Sequence, residues 1–243
     1  MKSGVVAELW RYPASSLGGE AMQTLPVDMH GAFGDRLYGL IDRASGEIAR
    51  PDADKKWHPV PRIKARLTSS RMLEIATPDS TWLSAPSAEV DRAISAFLGF
   101  EAGILPYEVV AGPTEQKTEA RYTKAPIHLL TTASLARLKA LHPDGNPDSR
   151  RFRPNILVDM PEVEGIFPET EWIGRRLAIG DLEVTVVEPC RRCGFTILAQ
   201  DCFDFDPNIL RNLVRHNDRN IGVYCTVDRP ATVALAEPMR FLR

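Results

Sequence analysis

Apolar, β-prone runs in this chain are short and are cut again and again by proline and glycine, of which there are 19 and 16. Residues 5–10 end at Tyr12-Pro13, Leu17-Gly18-Gly19 supplies a turn before 25–27, and 36–42 turns at Ala44-Ser45-Gly46 to return through 47–50 as a hairpin. Residues 67–76 read as another pair, and 155–158, 182–187 and 194–198 as buried strands. Helical periodicity is confined to 88–97 and 134–141, the second with Thr131 or Thr132 as its cap. These patterns predict a mainly β chain with some helices (α+β), built around a barrel. Small residues and proline at 83–87 are expected to mark a domain boundary, with one module over 1–86 and a second over 97–243.

Composition narrows the function classes. The 30 basic and 32 acidic residues leave a net charge of −2, without the basic bias of a nucleic-acid binder. No run approaches the ~20 apolar residues of a membrane span. The N-terminal segment is interrupted by Glu8 and Arg11, unlike a secretory signal, so a cytoplasmic location is expected. Four cysteines in 243 residues are too few for a disulfide scaffold, and closely spaced ones point to ligands or reactive thiols.

Cys190-Arg191-Arg192-Cys193 is the sharpest local feature. It follows the 182–187 strand and the turn pair Glu188-Pro189, and its adjacent arginines favour a thiolate and a soft-metal ligand. A zinc site of Cys190, Cys193, Cys202 and His216 lacks paired knuckle spacing, and a thioredoxin-like pair would open a helix where 194–198 reads as strand. Cys202 and Cys225 read as packed or half-buried thiols without function, and His128 as a core residue. Arg36 and the run Arg150-Arg151-Phe152-Arg153-Pro154-Asn155 offer guanidinium groups suited to phosphate, although charge alone favours a solvated loop paired with Asp144 and Asp148. There is no G-x-S-x-G elbow, P-loop, dinucleotide fingerprint or iron–sulfur spacing, so any electron supply lies in another polypeptide or domain.

Taken in order, Tyr12-Pro13-x-x-Ser16, Gly34-Asp35-Arg36, Thr131-Thr132-Ala133-Ser134-Leu135, Arg151-Phe152-Arg153-Pro154-Asn155-Ile156, Trp172-Ile173-Gly174 with Ile179-Gly180-Asp181, and Pro189-Cys190-Arg191-Arg192-Cys193 resemble the MOSC superfamily. Its members are related to the C-terminal domain of molybdenum cofactor sulfurase and to the mitochondrial amidoxime-reducing component. The resemblance implies a MOSC β-barrel domain preceded by a smaller barrel-like module. It also implies bound molybdenum cofactor (molybdopterin), with Cys193 as metal ligand and catalytic residue and Cys190 behind it. Ser16, Arg36, Ser134, Arg153, Asn155 and Arg192 fall on cofactor-binding positions. Where the amidoxime-reducing relatives carry Lys-Ser after Tyr-Pro-Val, this chain has Ser15-Ser16, a lost cation that weakens phosphate binding by ~1–3 kcal/mol.

Three functions follow from the resemblance. The first is a molybdenum-dependent oxidoreductase acting on a small N-oxygenated substrate with electrons from a separate protein. The second is a sulfur carrier holding on Cys193 a persulfide loaded by a partner cysteine desulfurase. The third is a cofactor-binding protein without turnover. None involves nucleic acid or a membrane.

Overall fold

The computed structural model describes residues 3–108, 117–118, 126–162 and 166–243. Seven strands close a barrel: β1 (Gly4–Arg11), β2 (Ile127–Thr131), β3 (Ile156–Asp159), β4 (Arg176–Ile179), β5 (Leu182–Arg191), β6 (Asn220–Arg229) and β7 (Pro238–Phe241). Their order is β3-β2-β6-β5-β4-β7-β1, and pairing of β1 with β3 closes the ring. Only the β2–β3 pair is parallel; the chain crosses between those two strands through α2 (Thr132–Leu141). Alternation fills the interior. Leu182, Val184 and Val186 of β5 point inward against Val6, Leu129, Val158, Val223 and Met239, all at most 2% exposed.

A second core lies outside the barrel. Strand Tyr38–Asp42 pairs with Ala102–Pro106, a three-stranded sheet forms from Lys64–Leu67, Leu73–Ala76 and Leu83–Ala85, and α1 (Ala88–Leu98) packs Val90 and Ile94 against them. The mainly β barrel fold expected from the sequence is what the chain adopts. The division into 1–86 and 97–243 does not coincide with strand pairing. β1 belongs to the barrel, and the strand Thr24–Asp28 pairs with Ala231–Ala234. Long-range pairing leaves no local trace in the sequence, whereas the small residues and single proline at 83–87 coincide with the end of a strand and the Ser87 cap of α1.

Helix α2 begins where its cap was expected: the Thr131 side chain accepts from the Ser134 amide. Beside it the buried Glu169 carboxylate accepts from the Thr131 amide and hydroxyl, at 2.7 and 2.8 Å, and from the Ser134 hydroxyl. The third helix, α3 (Pro207–Asn217), buries Ile209 and Leu213 against Phe152, Leu157 and Ile221. Among the described residues no helix is long and apolar enough to cross a membrane.

Candidate functional site

Two local irregularities place Cys190. The β5 strand does not stop at Glu188-Pro189, as the turn propensity of that pair predicted; it runs on to Arg191. The pairing of β5 with β6 slips between Val186 and Glu188 and again between Pro189 and Arg191, so bulges absorb the proline and turn Cys190 into the interior, fully buried. Across from it, Gly222 adopts φ +72°, a left-handed conformation that suits glycine. After Arg191 the chain passes Arg192 and Cys193 into a 3-10 turn, Gly194–Ile197. That turn replaces the strand predicted at 194–198. Cys193 caps it, partly exposed, with its carbonyl accepting from the Thr196 hydroxyl at 3.1 Å. One thiol of the pair is therefore buried and the other partly exposed.

Around Cys190 the structure assembles a polar cluster inside an apolar shell. Arg192 donates from Nη1 to Cys190 Sγ at 2.6 Å and from Nη2 to the Phe152 carbonyl at 2.9 Å. His128 and Tyr224 also interact with the sulfur. His128 Nδ1 lies 3.2 Å from the Arg153 carbonyl, which fixes the ring, and Asn155 Oδ1 accepts from the His128 amide at 3.0 Å. Burial opposes ionisation of Cys190, but the Arg192 cation, aided by His128, outweighs it and brings the thiol down to about 6. In return, burial works against the Arg192 cation, and Cys190 and Tyr224 hold it above the ordinary guanidinium value. Tyr224 is raised, first by burial and then by the charge on Cys190.

A second pair of guanidiniums flanks Tyr12. Arg153 lies 4.1 Å from the centre of its ring and Arg36 lies 5.7 Å away. Arg36 pairs with Asp35 and donates to the Arg153 carbonyl at 3.2 Å, while Arg153 donates to the carbonyls of Leu17 and Ala14. Asp35 in turn accepts from the Tyr12 amide at 2.7 Å. Ser16 (φ +67°), Arg36 (φ +52°) and Arg153 (φ +55°) all occupy the left-handed region, where a non-glycine residue costs about 1–3 kcal/mol. Backbone strain at three neighbouring polar residues marks them as candidates for a functional site.

The structure thus brings Arg36, Arg153 and Arg192 together with Cys190, Tyr12, His128 and Tyr224. Asn155 braces the cluster, fully buried between the His128 amide and the Trp10 carbonyl. Ser134 lies apart, its hydroxyl committed to Glu169. The Arg150–Arg153 run is not a solvated loop: only Arg150 pairs with Asp148, and Arg151 is 1% exposed. His128 is a core residue as expected, yet it also serves the thiol, and Tyr224 was missed. Only strand register could have found it, because Tyr224 is opposite Glu188 on β6. Cys202 is exposed, not packed, with Arg150 Nη1 3.3 Å from its sulfur, while Cys225 is buried and its thiol pushed up by that burial. Among the described residues no group of three or more His, Cys, Asp or Glu is arranged to hold a metal, which disposes of the four-ligand zinc arrangement.

Two expected results test this geometry. Arg192→Gln, in a background lacking Cys193 and Cys202, is expected to raise the Cys190 titration midpoint by ~1–3 pH units in ultraviolet thiolate absorbance, since the main opposing charge is gone; an unchanged midpoint would show that Arg192 does not hold the thiolate. Gly222→Ala places a Cβ 2.5 Å from His128 Nε2 and 2.7 Å from the Leu129 carbonyl, at a φ an alanine resists. It is expected to lose about 2–4 kcal/mol in urea unfolding and to perturb the same thiolate signal.

The family model of the MOSC domain matches residues 107–240. No protein of curated function matches the chain. Among solved structures, the YuaD protein from Bacillus subtilis is 13% identical, covering 98% of this chain and 94% of its own, with a TM-score of 0.49. YiiM from Geobacillus stearothermophilus and YiiM from Escherichia coli are each 14% identical over 49% of this chain and 54% of theirs, with TM-scores of 0.37 and 0.34. The family match spans more than half of a chain that closes a β-barrel, and the chain belongs to the MOSC domain family, which is associated with molybdenum cofactor binding.

Proposed function

We propose that this protein binds the molybdenum cofactor and reduces small N-oxygenated compounds, such as N-hydroxylated bases and amidoximes, in the cytoplasm with electrons from a separate protein. The observation that carries this reading is a part-exposed thiol, Cys193, set beside a guanidinium cluster at the end of one barrel strand. The donor set fits the group. A thiolate is a soft ligand for a soft metal–dithiolene centre, and guanidiniums suit a pterin phosphate. Arg192 Nε and Tyr12 Oη are buried without hydrogen-bond partners, so the cluster has unused polar capacity.

Cys193 would hold the metal. Arg36, whose side chain is 29% exposed, and Arg192 would face the anionic part, with Ser16 beside them and Arg153 and Asn155 bracing the wall. Ser15 is buried and brings no cation, and its amide donates to the Tyr38 carbonyl at 2.8 Å. When bound, the cofactor supplies the two-electron removal of oxygen; the protein binds, orients and holds charge. Cys190 is too deeply buried to compete as the ligand, and its thiolate serves to fix Arg192 against the site.

One observation favours a second reading. Arg192 interacts with both thiols and would equally stabilise a persulfide anion on Cys193. The test is elemental analysis with oxidised-pterin fluorescence on protein made in a molybdate-fed host. Molybdenum and pterin near one per chain, followed by turnover of an N-hydroxylated substrate, supports the reductase. Neither signal, together with one added sulfur atom on the Cys193 peptide, overturns it in favour of sulfur carriage. Both signals without turnover leave a cofactor-binding protein.

A further inference from the structure

The helix beside the thiols has an outer face that no described residue covers. α3 is tied to the cysteine segment at both ends: the Asp206 amide donates to the Ile197 carbonyl at 2.9 Å, and the Arg192 amide donates to the Arg219 carbonyl at 2.9 Å. Its inner positions, Ile209 and Leu213, are buried. Its outer side carries Arg211, Val214 and Arg215, with Phe205 just before it. Val214 and Phe205 are 50% and 53% exposed, among the more exposed large apolar side chains of the molecule. Arg191 and Arg219 continue the surface toward Cys193, since Arg191 pairs with Asn220 across β5 and β6.

Charge sorts this surface further. Arg191, Arg211, Arg215 and Arg219 are all exposed, and among the described residues no carboxylate lies within 4.0 Å of any of them. The nearby acids Asp201 and Asp206 are already paired, with Lys64 at 2.5 Å and His142 at 2.9 Å, leaving Asp204 and Asp218 as exposed acids of the segment. Arg211 and Arg215 beside Val214 on α3, with Arg191 and Arg219 past its C-terminal end and Phe205 before its N-terminal end, give a locally positive surface with exposed apolar members on a chain whose overall charge is −2. Protein interfaces are enriched in this combination of arginine with large apolar groups, and complementary charge guides the encounter. Nucleic acid would fill the cationic part and leave Val214 and Phe205 uncovered.

Resting on the reductase reading, we propose that the outer face of α3, with Arg191 and Arg219, is the docking surface for an acidic electron-carrier protein. Its apolar centre takes the partner's own apolar contact, and its guanidiniums take the carboxylates around it. The carrier then sits over the segment that presents Cys193, as a short electron path requires.

The test is binding, measured by calorimetry with an acidic [2Fe–2S] ferredoxin as probe, on protein whose molybdenum content is determined separately. Affinity is expected to fall about tenfold or more in Arg211→Glu/Arg215→Glu, and markedly when ionic strength rises from about 0.05 to about 0.2 M. Arg240→Glu, on the far side of the barrel on β7, is expected to bind as the parent does. The milder Arg211→Gln/Arg215→Gln should give a smaller loss in the same direction, which separates charge from misfolding. Ferredoxin affinity unchanged in both α3 variants overturns the proposal, as does absence of ferredoxin binding by the parent protein while a DNA oligonucleotide binds through these arginines. Arginine-dependent ferredoxin binding by protein that never takes up molybdenum leaves the docking surface standing and removes the reductase reading instead.

Discussion

Cys193→Ser is expected to leave the protein folded and without bound molybdenum. Cys193 caps a 3-10 turn through its backbone, with its carbonyl receiving the Thr196 hydroxyl, so a serine can occupy the position at little conformational cost. What changes is the ligand. A serine hydroxyl ionises far above neutral pH and is hard, whereas a thiolate is soft and available. Metal content by plasma mass spectrometry should fall from near one per chain to background, and turnover with it, while the unfolding midpoint stays close to that of the parent. Cys190→Ser separates the two cysteines. Cys190 is fully buried with Arg192 on its sulfur at 2.6 Å, so its loss should displace that guanidinium and weaken retention of the cofactor without abolishing it. Equal metal in the Cys193→Ser protein and the parent, or loss of metal only in the Cys190→Ser protein, would mean that the ligand has been placed on the wrong sulfur.

How much of this was legible in the sequence depends on the range of the interaction involved. Local signals were readable: the Thr131 cap of α2, the 88–98 helix, and the alternation in Leu182, Val184 and Val186 all act over a few residues. The Pro189 signal was readable but misleading, because a bulge lets a strand keep a proline that turn propensity treats as a stop. Cys193 and the three arginines were singled out through motif order. Their grouping was not, since Arg36, Arg153 and Arg192 meet only because β1 closes the barrel against β3. His128 and Tyr224 carry no motif and acquire their place from register on β2 and β6. The left-handed conformations at Ser16, Arg36 and Arg153 are the least legible feature, because no propensity assigns an arginine to that region.

Arg151→Met is expected to cost about 3–5 kcal/mol, the largest stability loss of any single substitution considered. Sequence order makes Arg151 look like its neighbours, but its guanidinium is 1% exposed and is surrounded by carbonyl oxygens. Nε donates to Asn146 at 2.8 Å, Nη1 to Thr196 and Leu198 at 3.3 Å each, and Nη2 to Asp204 at 2.8 Å, while the Phe203 ring stacks 4.0 Å away. Burial lowers the pKa of this arginine, opposed by Asp206, Asp148 and Asp204. Methionine fills much of the volume and leaves all four carbonyls without a donor, and each unsatisfied group costs about 1–3 kcal/mol, less than additively. Since native domains are stable by only ~5–15 kcal/mol, the variant should unfold at a much lower urea concentration than the parent. Arg151→Lys keeps the charge but not the planar fork, and should recover only part of the loss. A urea midpoint within about 1 kcal/mol of the parent would show that these bonds add little. Because Thr196 and Leu198 lie three and five residues after Cys193, early proteolytic cleavage between 196 and 206 in Arg151→Lys, before global unfolding, is the expected mark of a residue that holds the Cys193 segment in place.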